Sequence, residues 1–154
     1  PYADLRSGGK YNFKKPLKIE EITGYIKLIS KQHNIVFVEG IGGLMVPINK
    51  NLLFIDIISK LKAPVILTAK NKIGVINHTL LNLEILKKYS LKCISVVLMN
   101  EENPDLSTLS NYEIISEYSG VNEVLEIPYL RDIKPDICQE IKVAKKLKKI
   151  LARF

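Results

Sequence analysis

Three observations predict an α/β fold built on a mostly parallel sheet with helices on both faces. Four short apolar runs rich in β-branched residues recur, at 35–38, 64–69, 94–99 and 124–127. The stretches between them carry apolar residues at helical spacing. Each run also ends in polar, proline or glycine residues that break it. Strands alternating with helices require crossover connections, and those produce a parallel sheet in a three-layer sandwich. A chain of 154 residues suits one such domain.

The elements follow in order. Residues 1–15 read as irregular. Pro16 opens a helix in which Ile19, Ile22, Ile26 and Ile29 form one face, with Glu20 and Glu21 at the N-terminal end where the helix dipole favours anions. Residues 35–38 form a strand buried on both faces, and Glu39-Gly40-Ile41-Gly42-Gly43 ends it as a loop. A short helix is predicted over 54–61 and a second strand over 64–69. A helix over 75–89 offers Leu80, Leu83 and Leu86, or alternatively Leu81, Ile85 and Tyr89, as its core face. A third strand over 94–99 ends at Asn100. A polar loop leads to a helix over 107–118 that stops near Gly120, and a fourth strand over 124–127 is ended by Pro128. A last helix over 137–152 places Ile141, Ala144, Leu147 and Leu151 on one face and lysines on the other. Neither a repeat nor a domain boundary is apparent. The chain reads as a single α/β domain over 1–154, with a motif-bearing core at 16–130 and a basic helix at 131–154.

Composition narrows the function classes. Apolar residues make up 47% and charged residues 25%, which argues against a largely disordered chain. No apolar run approaches the roughly 20 residues of a bilayer-spanning helix, so a membrane partner is not expected. No basic segment followed by an apolar core opens the chain, so a secretory leader is not expected either. Cys93 and Cys138 have neither disulfide-framework nor metal-site spacing, and a reducing, cytoplasmic setting is the simplest reading. The net charge is +7, but residues 131–154 hold eight basic against three acidic residues and carry +5 of it. A lysine-rich helix without interleaved aromatic residues reads as a solvated face, and no nucleic-acid partner is expected.

In open parallel sheets ligands bind beyond the carboxyl ends of the strands. Three such ends are polar or glycine-rich here: 39–43, 69–74 and 100–104. Glu39 ends an apolar run in the manner of an acid that supports Mg²⁺ in phosphoryl transfer, although an acid there also serves as a cap or surface residue. Gly42 and Gly43 allow close backbone approach, or serve simply as turn residues with positive φ. Asn77 reads equally as a helix N-cap. His78 has only His33 as a fellow histidine and is not read as a metal ligand. Asn100 can accept from and donate to a ring edge such as adenine, or act as a turn residue.

Taken together, these segments resemble a known family. Val38-Glu39-Gly40-Ile41-Gly42-Gly43, with Pro47 beyond, resembles the VEGAGG…P signature of dethiobiotin synthetases. Pro64-Val65-Ile66-Leu67, followed by the run from Lys72 through Ile73, Gly74, Val75, Ile76 and Asn77 to His78, resembles the family's second signature, PVILV…LGxINH. Met99-Asn100 and Ile127-Pro128-Tyr129-Leu130 stand where the family has a strand-end Asn and an IPWL-like motif, with Tyr in place of Trp. The motifs run in the family's order from Ile35 to Leu130.

The resemblance implies a homodimeric, P-loop NTPase-like protein of biotin biosynthesis. It would use MgATP and CO₂ to close a ureido ring on 7,8-diaminopelargonate. By the same resemblance, Glu39 would be the catalytic and Mg²⁺-binding acid, with Gly42 and Gly43 shaping its site. Asn100, Pro128 and Tyr129 would hold the adenine of ATP. Ile73, Gly74, Val75, Asn77 and Tyr112 would meet the carboxylate end of the substrate. The family's opening strand and GxxxxGK[ST] loop have no counterpart, because no Gly-Lys-Ser/Thr triplet occurs and Gly8-Gly9-Lys10 is followed by Tyr11. The fold is therefore expected to be N-terminally incomplete, as a truncated product or as a diverged protein without ATP hydrolysis. The alternative function is a non-catalytic module that binds a small carboxylate or serves in assembly.

Overall fold

A computed structural model of the chain describes residues 17–40, 42–129 and 148. Two compact units, Pro1–Ala63 and Pro64–Phe154, divide it.

In the first unit, helix α1 (Ile19–Ser30) forms where the isoleucine spacing predicts it. Ile19, Ile22, Ile26 and Ile29 are half-buried along one face and Thr23 is buried among them. The Glu21 carboxylate accepts from the Lys18 backbone N–H at 3.3 Å, closing the first turn. A short antiparallel hairpin follows, β1 (Pro47–Asn49) and β2 (Leu52–Leu53), which pairs Pro47 with Leu53 and Asn49 with Leu52. Strands of three and two residues leave no periodic signal in the sequence. Its turn is closed by Asn49, whose Oδ1 accepts from the Asn51 N–H at 2.9 Å, the side-chain mimicry of a turn that favours Asn. Helix α2 (Phe54–Leu61) then begins with the Asp56 carboxylate accepting from the Leu53 N–H at 2.8 Å. Ile55 and Ile57 are buried, with Leu44 and Leu52, as the core of this unit.

The strand expected at 35–38 is not formed. Residues 35–40 pair with no strand among the described residues of this unit, and Ile35, Phe37 and Val38 are 46%, 68% and 44% exposed. A β-branched run favours extended backbone. It becomes a buried strand only when neighbours saturate its N–H and C=O groups on both sides, and none of the described hairpin or helix residues does so.

The second unit follows the predicted alternation closely. Strands β3 (Val65–Lys70), β4 (Cys93–Met99) and β5 (Val124–Ile127) form a parallel sheet in the order β3-β4-β5. Helices α3 (Val75–Lys88) and α4 (Thr108–Tyr118) make the crossovers. Val96, Val97 and Leu98 of the central strand are buried, as are Leu125 and Ile127 of β5. Of the two core faces considered for α3, the one containing Leu83 and Leu86 is buried, together with Val75 and Thr79, whereas Leu81 is 57% exposed. Helix α4 turns Asn111 and Ile115 inward, and Gly120 just beyond it takes φ +64°, a left-handed conformation that glycine adopts without strain. Of the helix expected over 137–152 only Lys148 lies among the described residues, where it is helical and exposed.

Candidate functional site at the carboxyl ends of the parallel strands

The register Lys70–Met99–Ile127 brings the carboxyl ends of all three parallel strands level. The backbone pairing continues one step further, since Asn71 N–H donates to Met99 O at 2.8 Å and Asn100 N–H donates to Ile127 O at 2.9 Å. Asn71, Asn100 and Pro128 are therefore neighbours at one edge of the sheet. Pro128 and Tyr129 are exposed there, Tyr129 at 46%.

A buried amide network lies beneath this edge. Asn71 is fully buried and Asn111 is 1% exposed. Asn71 Nδ2 donates to Asn100 Oδ1 at 2.8 Å and to Glu126 Oε1 at 3.0 Å. Asn71 Oδ1 accepts from Asn111 Nδ2 at 2.9 Å, and Asn111 Nδ2 also donates to Ser107 Oγ at 3.1 Å. Buried amides are costly unless paired, and here every polar atom of the Asn71 side chain has a partner. Asn100 is marked in the sequence by its place at the end of an apolar run, whereas Asn71, Asn111 and Glu126 carry no such mark. Asn71 and Asn111 lie 40 positions apart, and no local pattern marks them as partners.

The segment expected to meet a substrate carboxylate opens α3. Gly74 is its N-cap with φ +88°, so the capping role considered for Asn77 falls to Gly74, and Asn77 is exposed on the first turn. Ile73 is 77% exposed, whereas the Val75 side chain is buried and can offer a ligand only its backbone. Tyr112 is 38% exposed on α4, next to the inward-facing Asn111. Ile73, Val75, His78, Thr79, Lys70 and Lys72 help to line a cavity of 210 Å³. The Thr79 hydroxyl is buried without a partner among the described residues. Lys70 is paired with Glu101 at 2.9 Å on the surface, which leaves Lys72 as the cation of the rim without a described ion pair.

Asp105 fixes the shape of this segment. One carboxylate oxygen accepts from the Ile73 backbone N–H at 2.8 Å, and the other from Ser107 N–H at 2.8 Å and from the Ser107 hydroxyl. The Ser107 hydroxyl and then the Ile73 N–H hold the Asp105 carboxyl below its ordinary pKa. Because the folded value is depressed, the tether is complete above the ordinary aspartate value of about 3.9 and is lost as the pH falls through the lower folded value. The Ile73 amide resonance should therefore stay constant from pH 8 to pH 5 and move only under more acidic conditions. Asp105→Ala should remove that transition and speed exchange of the Ile73 amide proton at neutral pH.

Glu39, Gly42 and Gly43 belong to the first unit. Glu39 is exposed, and none of the described residues pairs with its carboxylate. Gly40 packs so tightly that a Cβ there would lie 2.3 Å from the Phe54 ring. Gly42 has φ +90° and faces Val46, whereas Gly43 has open space around it. Within this loop Gly40 and Gly42 require glycine on local grounds, whereas Gly43 does not. Cys93 starts β4, at the opposite end from Asn100, and burial pushes its thiol up. It takes no part in the site, and Cys138 lies outside the described residues.

Comparison with known proteins assigns the chain. A family model described as an AAA domain matches residues 13–136. An ATP-dependent dethiobiotin synthetase BioD of Lawsonia intracellularis is 34% identical over 148 residues, which cover 91% of this chain and 70% of that protein. This chain belongs to the dethiobiotin synthetase family. Proteins of the same name from Nitrosopumilus maritimus and Brucella anthropi are 29% and 36% identical, over 79% and 67% of this chain. The chain spans about half the length of these two relatives, 54% and 46%.

The relatives are named ATP-dependent synthetases, and enzymes that transfer phosphoryl groups from ATP employ Mg²⁺. Among the described residues no group of three or more His, Cys, Asp or Glu gathers as a metal site. Mg²⁺ does not need one, since it keeps several waters and is held by one or two carboxylates together with substrate phosphates. The exposed Glu39 carboxylate, which pairs with none of the described residues, has the donor chemistry for that arrangement. No helix among the described residues is long and apolar enough to cross a membrane.

Proposed function

We propose that this chain carries the adenine-facing, acid-bearing and substrate-facing parts of a dethiobiotin synthetase. Such an enzyme closes a ureido ring on 7,8-diaminopelargonate with MgATP and CO₂. The observation that carries the reading is the strand-end cluster. Asn100 sits beside the exposed Pro128 and Tyr129 at the carboxyl edge of a parallel sheet, and none of the described residues accepts from its Nδ2.

In this reading the Asn100 amide meets the polar edge of adenine, and Pro128 and Tyr129 cover a face of the ring. Asn77, Tyr112 and the backbone of Ile73, Gly74 and Val75 take the carboxylate end of diaminopelargonate, as in a homodimer whose partner completes the site. Asp105 holds the Ile73 segment in shape for that contact. Glu39, in the first unit, would hold Mg²⁺, with Gly42 and Gly43 allowing close approach. The metal neutralises charge on the phosphates when bound. In the reaction a carbamate oxygen attacks the γ-phosphorus and ADP leaves. The second amine then attacks the carbonyl carbon of the mixed anhydride and phosphate leaves, closing the ring. A cytoplasmic setting suits these soluble substrates.

Titration of the chain with MgADP and, separately, with diaminopelargonate tests the reading. Both are expected to bind. Asn100→Ala should weaken MgADP by about tenfold and leave diaminopelargonate unchanged, as expected for the loss of one two-point amide contact. Failure of MgADP to bind would count against the reading.

The second reading, a non-catalytic module that binds a small carboxylate, draws on the lack of any Gly-Lys-Ser/Thr triplet in these 154 residues. Binding of diaminopelargonate without any binding of nucleotide would favour it.

A further inference from the structure

We propose that Asn71 is a positioning residue that sets purine specificity by fixing the direction in which the Asn100 amide faces. The proposal rests on the adenine-reading role given above to Asn100. A side-chain amide is nearly symmetric in shape but opposite in polarity at its two ends, so its direction is decided by its partners.

Three partners decide it for Asn71. Its two Nδ2 protons go to Asn100 Oδ1 at 2.8 Å and Glu126 Oε1 at 3.0 Å, and its Oδ1 receives Asn111 Nδ2 at 2.9 Å. Reversing the Asn71 amide would set its oxygen against the Glu126 carboxylate and its NH₂ against that of Asn111. Glu126, an acceptor only when ionised, therefore locks the polarity of the chain of amides. Full burial of Asn71 removes water as an alternative partner.

The consequence lies at Asn100. Its Oδ1 is drawn to Asn71, with one lone pair left over, and its Nδ2 has no partner among the described residues. One free acceptor position beside free donors matches the N6–H and N1 of adenine's Watson–Crick edge. Guanine offers O6 and N1–H in those places, so O6 would oppose Oδ1 and N1–H would oppose Nδ2. An Asn100 without the anchor could turn its amide and relieve both conflicts, so rejection of guanine depends on Asn71.

Competition binding of MgADP and MgGDP to the full 154-residue chain tests this, with the wild type, Asn71→Val and Asn100→Ala compared. The wild type is expected to prefer MgADP by about tenfold or more, and Asn71→Val to lose most of that preference. A merely structural role for Asn71 would weaken both nucleotides alike and leave their ratio unchanged. An unchanged ratio in Asn71→Val, with the preference abolished in Asn100→Ala, overturns the role of Asn71 alone. Absence of an adenine preference in the wild type, or its persistence in Asn100→Ala, overturns the adenine reading as well. A measurement on the wild-type chain needs no variant to fold. Asn71 side-chain amide protons should exchange with solvent at least about tenfold more slowly than those of the exposed Asn77, as bonded, buried donors do. Equal rates would overturn the proposal.

Discussion

Supplied with MgATP, bicarbonate and diaminopelargonate, the 154-residue chain is expected to form no dethiobiotin above background. Phosphoryl transfer is catalysed almost entirely by positioning and by neutralising charge on the transferred group. The family's GxxxxGK[ST] loop provides a cradle of backbone N–H groups, a lysine and a metal-binding hydroxyl. No such triplet occurs in this chain, and Lys72, which lines the cavity, adjoins the segment assigned to the substrate carboxylate. Loss of one preorganised donor in an active site typically costs a hundredfold or more, and here a whole cradle is lacking. Turnover at least about 10³-fold below that of a relative with the loop is therefore expected. Mass-spectrometric assay for dethiobiotin checks it, and ATP-dependent formation by the chain alone would refute it.

Leu98→Ala should have the largest effect on stability. Leu98 is fully buried in the central strand, between Ala69 of β3 and Glu126 of β5. Removing it deletes buried methyl groups and leaves a cavity that the flanking strands cannot close without breaking register, at a cost of about 2–5 kcal/mol. A fall in Tm of roughly ten degrees is expected for a chain of this size. Leu81→Ala, at a position 57% exposed on α3, should cost less than about 0.5 kcal/mol. Thermal unfolding of both variants decides the matter, and equal effects would contradict the assigned core.

The second unit was legible because its elements are local. The bounds of β5 follow from a β-branched run and Pro128, and the end of α4 from Gly120. The face of α3 was narrowed to two choices, because spacing alone cannot tell which side meets the sheet. Thr79 and Leu83 settled it by burial. Residues 35–38 were misread for a physical reason: composition reports a preference for extended backbone, while pairing depends on neighbours far along the chain. The hairpin at Pro47–Asn49 and Leu52–Leu53 is too short to give a periodic signal.

In the candidate site, residues in contiguous motifs, such as Ile73, Gly74, Asn77 and Asn100, were recognised in the sequence. The groups that hold them were not. Asp105 reaches Ile73 across 32 positions, and Asn71 reaches Glu126 across 55. The Asp-x-Ser pattern at 105–107, which favours a side-chain-closed turn, was the only local hint of the Asp105 role.

Intermolecular NOEs between bound nucleotide and protein test the central claim most directly. At saturating MgADP, the adenine H8 and H2 protons are expected to give NOEs to the Tyr129 ring and to the Asn100 side-chain amide. Saturation without those NOEs, or with NOEs confined to residues outside the carboxyl edge of β3, β4 and β5, would contradict the account.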